Sequence, residues 1–212
     1  MTTLIADPLV TALDIRDNGE PLVALAGYGI ACAQPLDAVE RGGWARRGVA
    51  ARLATADEAL PPGVRLFVVE AFRSPQSQLA IHATYSAQLR RARPAATADE
   101  IAELASRYVA PLEVAPHVAG AAVDVTLIDD AGRELPMGTA VDATPEESDG
   151  ACTFDAPAIG AEARANRMIL AAALGGAGLV NYPTEWWHWS FGDRYWAYVT
   201  GIDHAVYGPV SR

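Results

Sequence analysis

The sequence predicts an α+β fold: a mostly antiparallel central sheet with helices packed around it. Three observations carry this expectation. Helical patterns dominate the first half of the chain, strand patterns dominate its end, and the two do not alternate as βαβ units would require. The 212 residues suit one domain with a sizeable core, spanning 1–212, and the balance of 51% hydrophobic to 20% charged residues is that of a globular protein.

Residues 1–43 carry Pro8, Pro21 and Pro35 and read as an irregular lead-in that wraps the body, with a short strand in "PLVALAGYG". From 44 to 60 the spacing of Val49, Leu53, Ala54 and Leu60 predicts an amphipathic helix, stopped by Pro61-Pro62-Gly63. "VRLFVVEAF" (64–72), β-branched and aromatic, reads as a buried strand. A second helix follows, with Ser74 as its N-cap and Pro75 at its first position. A third follows Pro94, over about 98–109. "AAVDVTLID" and "RELPMG" read as a hairpin turned at Asp129-Asp130-Ala131-Gly132. Residues 138–158 read as a long ordered loop, and "GAEARANRMILAAALGGAG" as a helix with a glycine-rich stop. "LVNY", "EWWHWSF" and "RYWAYV" close the chain as short aromatic strands.

Charge narrows the partners. The formal net charge is −10, and all sixteen basic residues are arginine. Without a basic stripe, neither nucleic acid nor an anionic membrane surface is an expected partner. No run approaches the roughly 20 apolar residues of a membrane span, and the first residues lack the basic-then-apolar pattern of a leader, so a cytoplasmic location is expected. Cys32 and Cys152 are too few for a disulfide framework and are expected as free thiols.

Two of the four histidines have telling company. His117 opens "HVAGAAVDV", with Asp124 seven positions on. Seven residues of straight strand would separate them by roughly 23 Å, so they could share a metal only if the chain bends, and Gly120 permits a bend. Asp124 lies between Val123 and Val125, where a carboxylate is costly unless paired or metal-bound. Alternatively it accepts only backbone hydrogen bonds. Glu185 and His188 are three apart, which on a strand sends them to opposite faces. To meet at one site, Glu185 must sit at the bend after Pro183-Thr184, with the tryptophans (Trp186 among them) walling the site off from water. Two histidines and an aspartate would leave zinc an open position, and a glutamate outside the ligand set would serve as base. Arg73 begins a helix, where a cation is unfavourable unless something compensates it. His82 reads as a helix-surface or core imidazole, and His204 receives no role.

Read together, these segments resemble the vancomycin-resistance-type D-alanyl-D-alanine dipeptidases, within the wider zinc D,D-peptidase superfamily. The resemblance rests on "FRSP" (72–75), "APHVAGAAVD" (115–124), "PMGTAVD" (136–142) and "EWWH" (185–188), in that order, over about 64–192. It implies one zinc per chain held by His117, Asp124 and His188, with Glu185 as base and acid. It also implies that Arg73 stabilises the transition state and that Asp142 receives the free amino group of a small dipeptide. The family's serine two residues before the first histidine is Ala115 here, at the position that would help hold the substrate's first residue.

The implied activity is hydrolysis of D-Ala-D-Ala or a related dipeptide. The alternatives are a D,D- or L,D-carboxypeptidase acting on cell-wall peptides, a zinc-binding module without catalysis, and a structural α+β domain with an aromatic core. A homodimer is compatible with each.

Overall fold

The computed structural model describes residues 2–33 and 43–210. In chain order the elements are α1 (Pro8–Thr11), β1 (Asp14–Ile15), β2 (Leu22–Ala24), β3 (Ala31–Cys32), β4 (Trp44–Arg46), α2 (Arg47–Glu58), β5 (Val64–Glu70), α3 (Pro75–Ala92), α4 (Ala98–Ser106), β6 (Ala122–Asp129), α5 (Ala161–Gly176), β7 (Val180–Asn181), β8 (His188–Ser190), α6 (Arg194–Thr200) and β9 (His204–Ala205). The central sheet has the order β3-β5-β6-β8-β7. Its β3–β5 pair is parallel and its other pairs are antiparallel. The expected α+β class with a mostly antiparallel sheet is what the structure shows. Part of Pro35's neighbourhood in the lead-in, 34–42, lies outside the described residues.

β6 is the spine of the sheet, and strand alternation divides its residues between two jobs. Val123, Val125 and Leu127 point into the main core, with Leu53 of α2, Leu170 and Leu174 of α5, and Trp186, Trp187 and Trp189. Asp124 and Thr126 point to the other face. Trp186 and Trp187 are at most 1% exposed. Each such indole removes roughly 150–250 Å² from water, an upper bound of about 4–6 kcal/mol at 25 cal/mol per Å². The tryptophans thus belong to the main core.

Local chemistry explains the helices that position the site. Ser74 accepts a hydrogen bond from the Ser77 amide at 3.1 Å and Pro75 opens α3, so the helix starts immediately after Arg73. Thr97 and Glu100 form a reciprocal capping box at the start of α4. Tyr85, Leu89, Ile101, Ala105 and Val109 give the α3–α4 hairpin a small core of its own.

Three expectations are corrected. Trp44–Arg46 is a strand paired antiparallel with β2, and the helix begins only at Arg47. "RELPMG" leaves the sheet after one bridge, Ile128 to Glu134. Pro136 has no N–H to offer a ladder, and its carbonyl goes instead to Asn166 Nδ2 at 2.8 Å. "RYWAYV" is helix α6: Asp193 caps it by accepting from the Trp196 amide at 2.9 Å, and Gly201 ends it in the left-handed conformation. Both cysteines are free, Cys152 in the core.

Candidate active site

Register brings the site together. Glu70 of β5 lies opposite Asp124 of β6, which lies opposite His188 of β8, so three side chains form one row across the sheet. His117 arrives from outside the sheet, on a 3-10 helix over Pro116–Ala119 that ends at Gly120 with φ 63°. A Cβ on Gly120 would come within 2.4 Å of Leu22 Cδ2, so the bend needs glycine for space as well as for backbone conformation. Arg46 braces the bend: its amide donates to the Gly120 carbonyl and its Nε to that of Ala119, each at 2.9 Å.

His117 Nδ1 donates to the Ala71 carbonyl at 2.7 Å. That bond fixes the tautomer and aims the Nε2 lone pair inward. His117 Nε2 is 3.2 Å from His188 Nδ1 and 3.4 Å from Asp124 Oδ2, and His188 Nδ1 is 3.0 Å from Asp124 Oδ1. Ligand atoms bound tetrahedrally at about 2.0–2.1 Å would stand roughly 3.3–3.4 Å apart. The three buried side chains stand 3.0–3.4 Å apart, close to that spacing, and could hold a zinc ion with a fourth position left free. Burial alone would raise the Asp124 carboxyl, but His117 and His188 outweigh it and hold it well below the usual range. On His117 burial works against the charged form, and Asp124 reverses the direction to raise its pKa.

Glu185 sits at the bend before β8, its amide donating to the Tyr182 carbonyl at 2.9 Å, and its Oε2 lies 3.7 Å from His188 Nδ1. Burial pushes its carboxyl well above the ordinary value, with Asp124 and Asp142 adding to the push and Arg73 opposing it.

Arg73 finds the compensation its position demands in Glu70. Nε donates to Glu70 Oε1 at 2.7 Å, Nη2 to Oε2, and Nη1 to Gln78 Oε1 at 2.9 Å. Gln78 is itself held by the Ala110 carbonyl at 2.7 Å. Against burial, Glu70 raises the Arg73 pKa, so the cation is permanent.

Asp142 rides on the 138–158 loop, which contains no helix or strand and is pinned from beneath. The buried Arg167 donates to the carbonyls of Met137, Thr153, Phe154 and Ala151. Gly138, at φ 93°, has Ile159 where a Cβ would need to be. Asp142 is strained, a non-glycine residue at φ 64°. Enclosure by the cavity wall, then the carboxylates of Asp124 and Glu70, raise its carboxyl to about 7. The residue is nevertheless open to water at the cavity mouth, which screens those charges.

One cavity of about 690 Å³ joins these groups and is lined by Glu70, Arg73, Ala115, His117, Asp124, Asp142, Glu185 and His188 among others. Trp186 is not among them. It is wholly buried in the core, its Nε1 donating to Thr139 Oγ1 at 2.8 Å, which corrects its expected place in the wall of the site, where it would have bordered the substrate. The aromatic walls are Tyr85, Tyr108 and Tyr182. Sequence reasoning missed these, together with Gln78 and Glu70. Glu70 carried the signal that drew attention to Asp124, a carboxylate in an apolar strand.

Comparisons with known proteins give the family. A family model described as D-ala-D-ala dipeptidase matches residues 40–206. The D-alanyl-D-alanine dipeptidase of Synechocystis sp. is 31% identical over 120 residues, 48% of this chain and 46% of that protein. That of Escherichia coli is 36% identical over 83 residues, 39% of this chain and 41% of that protein. Each match thus spans under half of the relative's length. The vancomycin-resistance D,D-pentapeptidase VanY of a VanB-type cassette, solved with Zn(II), aligns over 92% of this chain and 96% of its own at 17% identity, with a TM-score of 0.47. With the family model covering most of its length, the chain belongs to the D-ala-D-ala dipeptidase family of peptidases.

Proposed function

We propose that this protein is a zinc-dependent dipeptidase that hydrolyses D-Ala-D-Ala or a closely related free dipeptide in the cytoplasm. The observation that carries the reading is the spacing of His117 Nε2, Asp124 and His188 Nδ1, 3.0–3.4 Å apart and buried, with Glu185 beside them. These three would hold the zinc. When bound, zinc supplies a nucleophile near neutral pH and a Lewis acid for the scissile carbonyl.

The chain's own residues do the rest. Glu185 moves the proton: its carboxylate takes one as attack proceeds and delivers it to the leaving amine nitrogen. Burial pushes its pKa upward, which favours the proton's staying on the carboxyl until the amine nitrogen takes it. Arg73, held by Glu70 and Gln78, presents a fixed cation to the developing oxyanion and needs no reorganisation when that charge appears. Asp142, at the mouth, pairs with the substrate's ammonium.

One observation favours a second reading, a D,D- or L,D-carboxypeptidase of longer peptides. D-Ala-D-Ala has eleven non-hydrogen atoms; even at the roughly 30 Å³ that a water claims in the liquid, they would fill only about half of the 690 Å³ cavity. Assaying the zinc-loaded protein on D,D-, L,D- and L,L-dipeptides beside a D-Ala-D-Ala-terminated pentapeptide separates the two. Our reading expects free D,D-dipeptides to be cleaved fastest, and a preference for the pentapeptide would replace it.

A further inference from the structure

We infer that Tyr108 determines specificity as a positioning residue, its hydroxyl holding the backbone that aims Asp142 at the substrate's amino group. The inference rests on the reading of Asp142 given above. Tyr108 follows α4, and its hydroxyl donates to the Asp142 carbonyl oxygen. Asp142 occupies left-handed backbone at φ 64°, a conformation that a non-glycine residue keeps only where its surroundings impose it. Below it the loop is held by Arg167 through Met137 and Ala151–Phe154. The stretch carrying Asp142 lies between those anchors and extends toward the α3–α4 hairpin.

The hairpin meets that stretch at two points. The Tyr108 ring packs on that of Tyr85, with centroids 5.3 Å apart, and the Tyr85 hydroxyl donates to Glu146 Oε2 at 3.3 Å. Two neighbouring tyrosines therefore grip the loop at positions 142 and 146. The same hairpin supplies Gln78, the partner of Arg73. One rigid arm thus sets the cation at the reacting carbonyl and the carboxylate at the amino terminus. Because the hydroxyl is committed to the Asp142 carbonyl, its loss should be felt through Asp142 and not through the reacting bond.

The test compares wild type, Tyr108→Phe, Asp142→Ala and the double variant, each zinc-loaded, on D-Ala-D-Ala and its N-acetyl form. Tyr108→Phe should raise KM for the free dipeptide about three- to tenfold, the range of one net hydrogen bond. It should leave kcat and the N-acetyl rate within about twofold, and the double variant should be no worse than Asp142→Ala alone. An unchanged KM, or additive losses in the double variant, overturns the proposal. Hydrogen exchange of residues 139–147 is read in parallel without substrate. Faster exchange in Tyr108→Phe supports the role, and unchanged exchange overturns it. If wild type cleaves both substrates equally, the Asp142 reading has failed, and the exchange measurement alone decides whether Tyr108 holds the loop.

Discussion

Asp124 and His188 face each other across adjacent antiparallel strands, and their side chains meet at 3.0 Å, Oδ1 to Nδ1. Directly opposed residues share a face of the sheet, so this contact is built into the register. Replacing either residue should cost zinc affinity at least the roughly 10–100-fold that changes in a metal's outer shell produce. Asp124→Ala and His188→Ala should purify with little zinc, and added zinc should no longer raise their melting temperature as it does the wild type's. Metal analysis showing undiminished zinc in either variant would remove that residue from the ligand set.

Glu185→Gln should keep the metal and lose turnover by about 10²–10⁴-fold, the span of general acid–base catalysis. Glu185 stands 3.7 Å from His188 Nδ1 and outside the three-residue set. Zinc content and kcat measured on one preparation decide this, because loss of both would make Glu185 a ligand.

Arg73→Ala should lower kcat by about 10²–10³-fold and change KM little, since an oxyanion contact is made chiefly in the transition state. Glu70→Gln should also lower the melting temperature, because it leaves a largely buried guanidinium without its carboxylate. The destabilisation should fall below the roughly 3–5 kcal/mol of a fully buried broken pair, as both side chains keep some contact with water. A rise in KM alone for Arg73→Ala would reassign it to holding the substrate's carboxylate.

Acetylating the substrate's amino group should lower kcat/KM about tenfold. This corresponds to the lower end of a charge-assisted hydrogen bond, about 1.5 kcal/mol, because Asp142 is open to water. pH supplies a second check, on zinc-free protein. The Asp142 pKa, about 7, lies above its unfolded value of about 3.9, so the folded state binds a proton that the unfolded state has released. Asp142 therefore costs stability increasingly as pH rises from about 4 to 7, and Asp142→Asn should gain on wild type over that window. Parallel melting curves from pH 4 to 8 would contradict the shift.

Ala115 lines the cavity where the family pattern has serine, removing a polar contact and leaving room. Dipeptides whose first side chain exceeds methyl should be cleaved within about tenfold of D-Ala-D-Ala, a difference of about 1.4 kcal/mol. A loss beyond about a hundredfold would show that another wall closes the subsite.

Much of this was legible in the sequence because it depends on local chemistry. Ser74-Pro75 marks the start of α3, Gly120 marks the bend, and an aspartate among valines marks a carboxylate with a special partner. Two misreadings arose where aromatic, β-rich composition outweighed local signals. Asp193 is a legible N-cap for "RYWAYV", yet Tyr195, Trp196 and Tyr198 read as strand residues. The tryptophans of "EWWHWS" read as a site wall because sequence places them beside Glu185 and His188. Strand alternation sends Trp189 to the core opposite His188, and the bend carries Trp186 and Trp187 there too. The row Glu70, Asp124, His188 and the two-tyrosine grip depend on register and on contacts between residues far apart in sequence, which no local pattern encodes.

If His117, Asp124 and His188 hold one zinc on which hydrolysis depends, activity must follow the metal. The direct measurement strips the protein with a chelator, returns zinc in substoichiometric steps, and follows D-alanine release from D-Ala-D-Ala. Activity should be absent from the stripped protein, rise linearly with added zinc and level off at about one equivalent per chain, as a single three-ligand site requires. Full hydrolysis by metal-free protein, or a chain saturated with zinc that releases no D-alanine, would contradict it.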